Sequence, residues 1–311
     1  MRKHRVSNIW RCKMDHIIAV PFDPDLAEFI GKRGSTNSIT FYNRKVGEDI
    51  ITAIMPSSIT DKFYALAEVL LVAEQVVIST KKIDKIFGEV LIACSLLGKP
   101  VLFTDDNDIS GIIGGANIGY KIVSKANLME SILAYKRDPN NDYVRIDIDK
   151  AFNVKGVGSV VLGIVTKGVV KTHDKLYHSS GAVAEVRSIQ KQDVDMPEAG
   201  YMSRVGLALK NLESDDIEKG DLLCSKKIAK TSKFEIELNQ SKYANEEIDV
   251  DKNYGVAVGF SYVISRVAEI GSGSIILEAS KPLSMEIGDS VLLVRENIPR
   301  IFASGKVKNI W

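Results

Sequence analysis

The chain has 311 residues, of which 45% are hydrophobic and 26% charged, an ordinary globular composition that allows two or three domains. Its 41 basic residues almost balance 40 acidic ones, and a net charge of +1 excludes a polycation that holds nucleic acid by overall charge. No apolar run approaches the ~20 residues of a membrane-spanning helix, so we expect no membrane association.

The cysteines and the N-terminus indicate a cytoplasmic protein. Cys12, Cys94 and Cys224 are far apart and form no CxxC motif, which predicts a reducing compartment with neither a disulfide framework nor a zinc site. Residues 1–13 are basic but lack the apolar core of a signal peptide. We expect them to be a disordered extension rather than an RNA-binding arm, and Met14 is an alternative start.

Strand-like and helix-like patterns alternate from His16 to Tyr135, which predicts an α/β layer around a mostly parallel sheet. The predicted strands are Ile17–Val20, Ser38–Arg44, Ile50–Met55, Val76–Ser79 and Pro100–Thr104. The predicted helices are Leu26–Lys32 closed by Gly34, one that is N-capped by Thr60, Lys82–Leu97 ending at Gly98, and Leu128–Tyr135. We interpret the glycine-rich segment Ser110–Gly119 as a flexible surface loop, with a phosphate-contacting loop as the alternative.

The rest of the chain predicts small β domains. Gly156 and Gly158 bracket a tight turn, and several short strands with glycine turns follow as far as Lys210, which is typical of an all-β barrel or sandwich. Gly163, within a β-branched run, suggests a bulge or a corner. Residues 136–143 resemble an exposed linker, and a weaker boundary falls near residues 226–231. We therefore predict an α/β domain over 14–138 and barrels over 143–226 and 227–311.

These segments resemble a known family. AFNVKGVGSVVLGIVTKG from Ala151, EVRSIQ from Glu185 and RVGLALKNLESDDIEKGDLL from Arg204 look like the second domain of translation elongation factors of the EF-Tu/SelB type. Lys281 to Val307 is similar to the end of their third domain. The likeness is closest to archaeal SelB-like paralogues, which share the GKRGSTNSITFYN segment at Gly31–Asn43. It implies a P-loop-GTPase-like α/β domain in degenerate form, followed by two β-barrel domains.

The phosphate-binding loop that the resemblance implies is missing. GxxxxGK[ST] supplies backbone N–H groups, a lysine and a magnesium-binding hydroxyl. Between the first strand and the first helix this chain has only PFDPD, which is short, lacks two N–H donors and carries Asp23 and Asp25, whose charges repel phosphate. Gly31-Lys32 does not replace it, because Arg33 follows and the pair lies at a helix end.

The other two nucleotide-binding elements of the family are also altered. Aligned on Phe63, the DxxGH positions are held by Pro56, Ile59 and Thr60. No histidine occurs between positions 17 and 172 to position a water molecule. In place of [NT]KxD, the chain has Asp105 for the lysine and Asn107 for the aspartate, and an asparagine cannot accept two hydrogen bonds from guanine. We predict that GTP, Mg²⁺ and hydrolysis are lost, with no cofactor, no metal and no catalytic residue.

In the family, the second domain helps to hold the aminoacylated 3′ end of a tRNA, and the third contacts the acceptor and T stems. The resemblance therefore implies tRNA or aminoacyl-tRNA as a partner, and the ribosome as a further one. Within the matched motifs, the candidate contacts are Lys155, Arg187, Gln190, Lys191, Arg204 and Lys210. The third-domain candidates are Lys242, Arg266, Lys281, Arg295, Arg300, Lys306 and Lys308, with Tyr243, Tyr254, Phe260 and Tyr262 as stacking residues. Solvated surface charges and core aromatic residues are the alternatives.

Three functional hypotheses remain open. The first is an elongation-factor-like protein that binds tRNA or a translation component without a competent GTPase. The second is a protein-interaction scaffold, or pseudo-GTPase regulator, with no RNA ligand. The third is an elongation factor that binds GTP through a remodelled site.

Overall fold

The computed structural model describes residues 14–137, 142–244 and 246–311, and the predicted extension at 1–13 lies outside them. Within these residues, one seven-stranded sheet with helices is followed by two small β-barrels. The predicted fold class is confirmed. We refer to the three parts as the α/β body, the second body and the third body.

The sheet of the α/β body has the strand order β2-β3-β4-β1-β5-β6-β7. Its strands are β1 Asp15–Ala19, β2 Lys32–Thr36, β3 Ile39–Val46, β4 Asp49–Pro56, β5 Gln75–Ile78, β6 Val101–Thr104 and β7 Tyr120–Val123. Strand β1 pairs in parallel with β4 and β5, and the parallel ladder continues through β6 and β7, whereas β2 and β3 are antiparallel. Strands β1, β5 and β6 are fully buried, as expected for parallel strands in the middle of a sheet with helices on its faces.

The helices are α1 Pro24–Ile30, α2 Tyr64–Val72, α3 Lys85–Leu97, α4 Ser110–Ile113 and α5 Lys125–Leu133. The start of α3 is fixed by Asp84, whose carboxylate accepts hydrogen bonds from the backbone N–H groups of Ile86 and Phe87. Its end is fixed by Gly98, which has φ 63° in the left-handed region. The prediction that this helix ends at Gly98 is therefore confirmed.

Two predicted helix boundaries were wrong for identifiable reasons. Helix α1 ends at Ile30, and Gly31 turns the chain into β2 because its Cα lies against β3, where a Cβ would come within 2.8 Å of the backbone N of Asn43. Helix α2 begins at Tyr64, and the predicted cap, Thr60, lies in the turn before it.

Four further elements were missed or misplaced. The segment predicted as a loop at Ser110–Gly119 contains the helix α4, and strands β2 and β7 were not predicted. Helix α5 begins at Lys125 and ends at Leu133, earlier at both ends than predicted. Strands β2 and β7 are the two edge strands of the sheet and are mostly exposed, which leaves little apolar pattern to detect.

The second body is a barrel of short strands. Its strands are β8 Arg145–Val154, β9 Gly158–Lys167, β10 Val170–Lys171, β11 Lys175–His178, β12 Val183–Lys191, β13 Val194–Met196, β14 Glu198–Ala199, β15 Arg204–Lys210 and β16 Leu222–Cys224. The order β11-β16-β8-β9-β15-β12 is closed into a ring by the pairing of β11 with β12. Gly163 lies where β8 and β9 approach closely, since a Cβ there would be 2.7 Å from the carbonyl oxygen of Asp147.

The third body is a closed barrel with the order β17-β20-β19-β18-β21-β22. Its strands are β17 Lys230–Gln240, β18 Asn253–Val258, β19 Ser261–Ile270, β20 Ser274–Ser284, β21 Ser290–Val294 and β22 Ile301–Ile310. The inward residues of these strands form a core of their own, which includes side chains such as Phe234 and Phe302.

The three bodies also share a buried apolar cluster. Ile164 and Met202 of the second body, and Phe260, Leu292 and Ile301 of the third, join the cluster formed around α2 and α3. Because interfaces that bury continuous apolar surface restrict domain motion, we infer that this cluster holds the bodies as one packed unit.

Candidate functional site

The head of α1 is closed by a carboxylate of the chain itself. The Oδ1 atom of Asp23 accepts a hydrogen bond of 3.0 Å from the backbone N–H of Leu26, and Pro24 has no N–H to offer. Phe22 packs edge-on against Phe87, with ring centroids 6.3 Å apart. This connection therefore forms an N-cap and an aromatic contact in place of a wide loop of free N–H groups. Asp25 is exposed in the first turn.

Asn107, which we predicted in place of the aspartate of the [NT]KxD element, has a structural role. The side-chain amide of Asn107 donates to the carbonyl oxygens of Thr80, at 2.7 Å, and Lys81, at 3.2 Å. Thr80 in turn donates through Oγ1 to the carbonyl of Thr104, at 2.8 Å. These bonds tie the ends of β5 and β6 together and occupy the amide group of Asn107, whereas Asp105 is exposed beside them.

Helix α2 is fixed to both barrels by side-chain contacts. Its Tyr64 stacks on Tyr262 of the third body, with ring centroids 5.3 Å apart and planes inclined by 26°. Its Glu68 is only 2% exposed and lies 2.5 Å from the ammonium of Lys219 in the second body. Burial raises the pKa of Glu68 to about 7, and the charge of Lys219 opposes that rise. Lys219 also donates to Ser38 at 2.9 Å.

Two further buried carboxylates connect the α/β body to the barrels. Asp15 forms an ion pair with Lys191 and accepts a hydrogen bond from Ser203 of the second body. Glu89 of α3 accepts from the backbone N–H groups of Arg300, at 2.9 Å, and Ile301, at 3.2 Å, in the third body. The bodies are thus joined by charge-assisted hydrogen bonds as well as by apolar packing.

Local sequence patterns do not predict which groups these buried carboxylates pair with. Glu68 and Glu89 are acidic residues on apolar helices, a pattern that hints at burial but does not identify a partner. Their partners are more than a hundred residues away in the chain.

Three of the RNA-binding candidates lie together at one exposed end of the second body. Arg187 donates at 3.0 Å to the carbonyl of Val157, in the turn that carries Lys155. Lys210 pairs at 2.7 Å with Glu185, on the same strand as Arg187. We call Lys155, Arg187 and Lys210 the barrel-end cluster. It combines three cations on the surface of the barrel.

The remaining candidates in the second body have other contacts. Gln190 is exposed and donates to Asp195 at 2.9 Å. Lys191 is 6% exposed and is occupied by its ion pair, so the structure places it in the interface and not on a free surface. Arg204 stacks on Phe41, with 3.2 Å from Cζ to the ring centroid, and donates to Asp149 at 3.3 Å. Lys191 and Arg204 both hold the second body against the α/β body.

The third-body candidates are mostly paired within the chain. The candidates with acidic partners are Arg266, Lys281, Arg295, Arg300 and Lys308. Lys242 and Lys306 donate instead to Gly115 and Ser290, each at 2.8 Å. Of the aromatic candidates, Tyr254 and Phe260 are buried, Tyr262 stacks on α2, and Tyr243 is exposed.

The described residues offer no other site with evident chemistry. They contain no group of three or more His, Cys, Asp and Glu side chains that could hold a metal ion. None of the helices in the described ranges has the length and apolar character required to cross a membrane. His178 is buried between Asp221, at 3.1 Å, and Ser180, at 2.8 Å. We assign it a structural role, since both ring nitrogens face protein groups.

Comparison with sequences identifies relatives over different parts of the chain. An uncharacterized protein of Methanocaldococcus jannaschii is 29% identical over 291 residues, which are 89% of this chain and 94% of that protein. The selenocysteine-specific elongation factor of the same organism is 32% identical over 62% of this chain and 46% of its own length. Elongation factor 1-alpha of Nanoarchaeum equitans is 28% identical over 48% of this chain and 39% of its own length. The chain thus spans less than half the length of these two elongation factors. No protein-family model matches.

Solved structures share the fold across nearly the whole chain. SelB of Methanococcus maripaludis in complex with a GTP analogue superposes with a TM-score of 0.80 and 20% identity, over 96% of this chain and 80% of that one. The apo form gives 0.79. A bacterial selenocysteine-specific elongation factor gives 0.74 at 17% identity, over 94% of this chain and 58% of that one.

Proposed function

Because this chain is a homologue of the SelB-type and elongation factor 1-alpha translation factors, we propose that it binds tRNA or aminoacyl-tRNA in the cytoplasm without binding or hydrolysing GTP. The observation that carries the proposal is a contrast within one molecule. The two barrels are intact and the second body exposes the barrel-end cluster, whereas the loop at the head of α1 is short and capped by Asp23.

The loss of nucleotide binding is supported by electrostatics and by hydrogen bonding. A phosphate at the head of α1 would meet the Asp23 carboxylate, and like charges at contact distance repel strongly in a partly buried site. Guanine would meet an Asn107 amide that already donates to two carbonyl oxygens. Asp23 acts on the phosphates and Asn107 on the guanine base, so each change lowers the affinity for GTP independently of the other.

The protein does not need a nucleotide to fix α2. In GTP-driven switches, the γ-phosphate and its magnesium order the switch segments. Here the contacts of Tyr64 with Tyr262 and of Glu68 with Lys219 hold α2 against both barrels. We infer that the protein presents its barrels in one arrangement at all times, so RNA binding is not timed by hydrolysis.

Binding to a tRNA measured over a range of salt concentrations tests the RNA part. If the barrel-end cluster contacts phosphates, log Kobs should fall linearly with log salt, with a slope of roughly −0.7 to −0.9 for each phosphate neutralised. Comparing aminoacylated with deacylated tRNA then shows whether the 3′ end is read. Absence of any binding at low salt would overturn this part and leave the protein-interaction scaffold.

Calorimetric titration with GTP and with GDP, each in the presence of Mg²⁺, tests the nucleotide part. We expect no heat of binding. A micromolar affinity for GTP would overturn the loss of nucleotide binding and favour an elongation factor with a remodelled site. The RNA measurement and the calorimetry are independent, so either part of the proposal can fail alone.

A further inference from the structure

An apolar groove crosses from the α/β body to the third body. It lies between α3, the glycine-rich segment after α4 and the loops around Tyr243 and Ile298, and it has a volume of about 560 Å³. We call it the α3 groove. It is separate from the head of α1, and none of its lining residues belongs to the barrel-end cluster.

The groove exposes large apolar side chains of both bodies. Ile112 is 46% exposed, Tyr243 48% and Ile298 58%, and partly buried Ile92 of α3 lines the groove with them. Single exposed apolar residues are common on protein surfaces, whereas these three share one groove that spans two bodies. The three most exposed side chains therefore offer a ligand apolar contacts on both sides of the groove.

A glycine within α3 also lines this groove. Gly88 is helical, and a Cβ built on it meets no atom within 4 Å. Glycine costs a helix interior roughly 1 kcal/mol relative to alanine, and no close contact among the described residues requires it. The missing side chain therefore leaves bare helix backbone facing the groove, which allows another backbone to approach closely.

The rim of the groove is positively charged. Lys85 and Lys242 are exposed, and neither forms an ion pair with a described carboxylate. The carboxylate of the groove itself, Glu89, is directed to the third body, where it accepts from Arg300 and Ile301. Lys242 also bonds the carbonyl of Gly115, which fixes the third-body side of the rim to the glycine-rich segment.

We propose that the α3 groove binds an amphipathic α-helix of a partner protein, with apolar residues at i, i+4 and i+7 and acidic residues beside them. The apolar face matches Ile112, Tyr243 and Ile298, and the acidic flanks match Lys85 and Lys242. Because Gly88 has no side chain, the partner helix can pack closely against α3, and it does so best with a small residue where the two helices cross. This surface shares Lys242 and Tyr243 with the third-body RNA candidates but none of the barrel-end cluster, so it does not depend on RNA binding by that cluster.

Selection from a displayed library of helical peptides tests the proposal with the full chain as bait. Peptides that bind a Gly88→Leu variant are removed first, so that only ligands of the groove are enriched. We expect a consensus with apolar residues at helical spacing and acidic flanks. The enriched peptide is then titrated by fluorescence anisotropy against groove variants.

The variants separate binding from folding. Gly88→Ala should raise the melting temperature, because alanine favours the helix. It should also lower the affinity for the peptide by roughly tenfold or more, because the added methyl group blocks the close approach. Ile298→Glu should abolish binding, and Lys85→Glu with Lys242→Glu should favour a peptide whose acidic flanks are changed to lysine. Gly111→Ala is the matched control, since Gly111 is also helical with open space around it but does not line the groove.

Three results would overturn the proposal. The first is a library that yields no enriched peptide, or only basic ones. The second is an enriched peptide whose affinity is unchanged by Gly88→Ala and by Ile298→Glu. The third is a dimer in sedimentation experiments that Gly88→Leu converts to a monomer, because a second copy of this chain would then be the occupant.

Discussion

The ammonium of Lys219 lies 2.5 Å from the carboxylate of Glu68, which joins the second body to the middle of α2. Glu68 is 2% exposed, so this carboxylate has lost its water and depends on Lys219 for compensation. Together with the stacking of Tyr64 on Tyr262, the pair fixes α2 between the two barrels.

This relationship predicts a pH dependence of stability. Burial raises the pKa of Glu68 from 4.5 to about 7, so between these pH values the folded state binds more protons than the unfolded state. The free energy of unfolding should therefore fall as pH rises through this window, by on the order of 3 kcal/mol for this group. Glu68→Gln should flatten that fall in urea unfolding measured across the window. Exposed Glu130→Gln is the control and should leave it unchanged.

Asp23 is expected to stabilise the protein as an N-cap. Asp23→Ala removes the hydrogen bond to Leu26 and should lower the free energy of unfolding by about 1 kcal/mol. Asp25→Ala, in the same turn but without a capping bond, should change it by less than about 0.5 kcal/mol. Urea unfolding measures both, and equal effects of the two variants would contradict the capping role.

Lys191 is expected to act on stability and not on RNA. Lys191→Ala leaves Asp15 buried without its ion pair, which should cost roughly 3–5 kcal/mol. Lys210→Ala breaks an exposed pair and should cost no more than about 1 kcal/mol. Chemical unfolding provides the comparison. If the Lys191 variant keeps normal stability but loses salt-dependent tRNA binding, Lys191 contacts RNA and the structural role is wrong.

The barrel-end cluster is expected to set the salt dependence of RNA binding. Changing Lys155, Arg187 and Lys210 together to alanine should weaken tRNA binding and reduce the salt slope by roughly one for each phosphate that is no longer neutralised. The charge-matched control changes Lys45, Lys62 and Lys121, which are exposed on the α/β body. Filter binding at several salt concentrations measures the slopes, and an equal reduction in both triple variants would remove the cluster from the proposal.

Gly220 is expected to be intolerant of any side chain. It has φ 88°, and a Cβ would lie 1.9 Å from Oγ of Ser261, where the second body meets the third. Gly220→Ala should therefore cost clearly more than the ~1–2 kcal/mol of left-handed strain alone. Gly273→Ala isolates that strain, because it has φ 78° and open space around it. Thermal unfolding of both variants makes the comparison, and similar losses would contradict the close approach.

Much of the fold could be predicted from local patterns. The end of α3 at Gly98 and the buried strands β5 and β6 follow from a left-handed glycine and from short apolar runs. The end of α1 could not be predicted, because Gly31 is needed for the approach to β3, which the local pattern does not contain.

The RNA-contact candidates were chosen from residue type and motif alone, and their role in binding remains a prediction. The sequence did not separate Lys155, Arg187 and Lys210 from the other candidates, and the structure brings these three together. Lys191, which directly follows EVRSIQ, and Arg204 of RVGLALK have the same residue types, yet the α/β body covers them. Whether a charged side chain meets water depends on which body packs over it, and that information is not local.

Neighbouring residues in the chain were enough to specify most strands and helices, the short proline-containing loop before α1 and the family resemblance of the barrels, because each of these depends on a local pattern. Only the tertiary structure decided which charges pair, how Glu68 is buried beside Lys219, and that Gly88, Ile112 and Ile298 line one groove. These features join residues far apart in the chain, and their energies come from the burial that packing three bodies together creates.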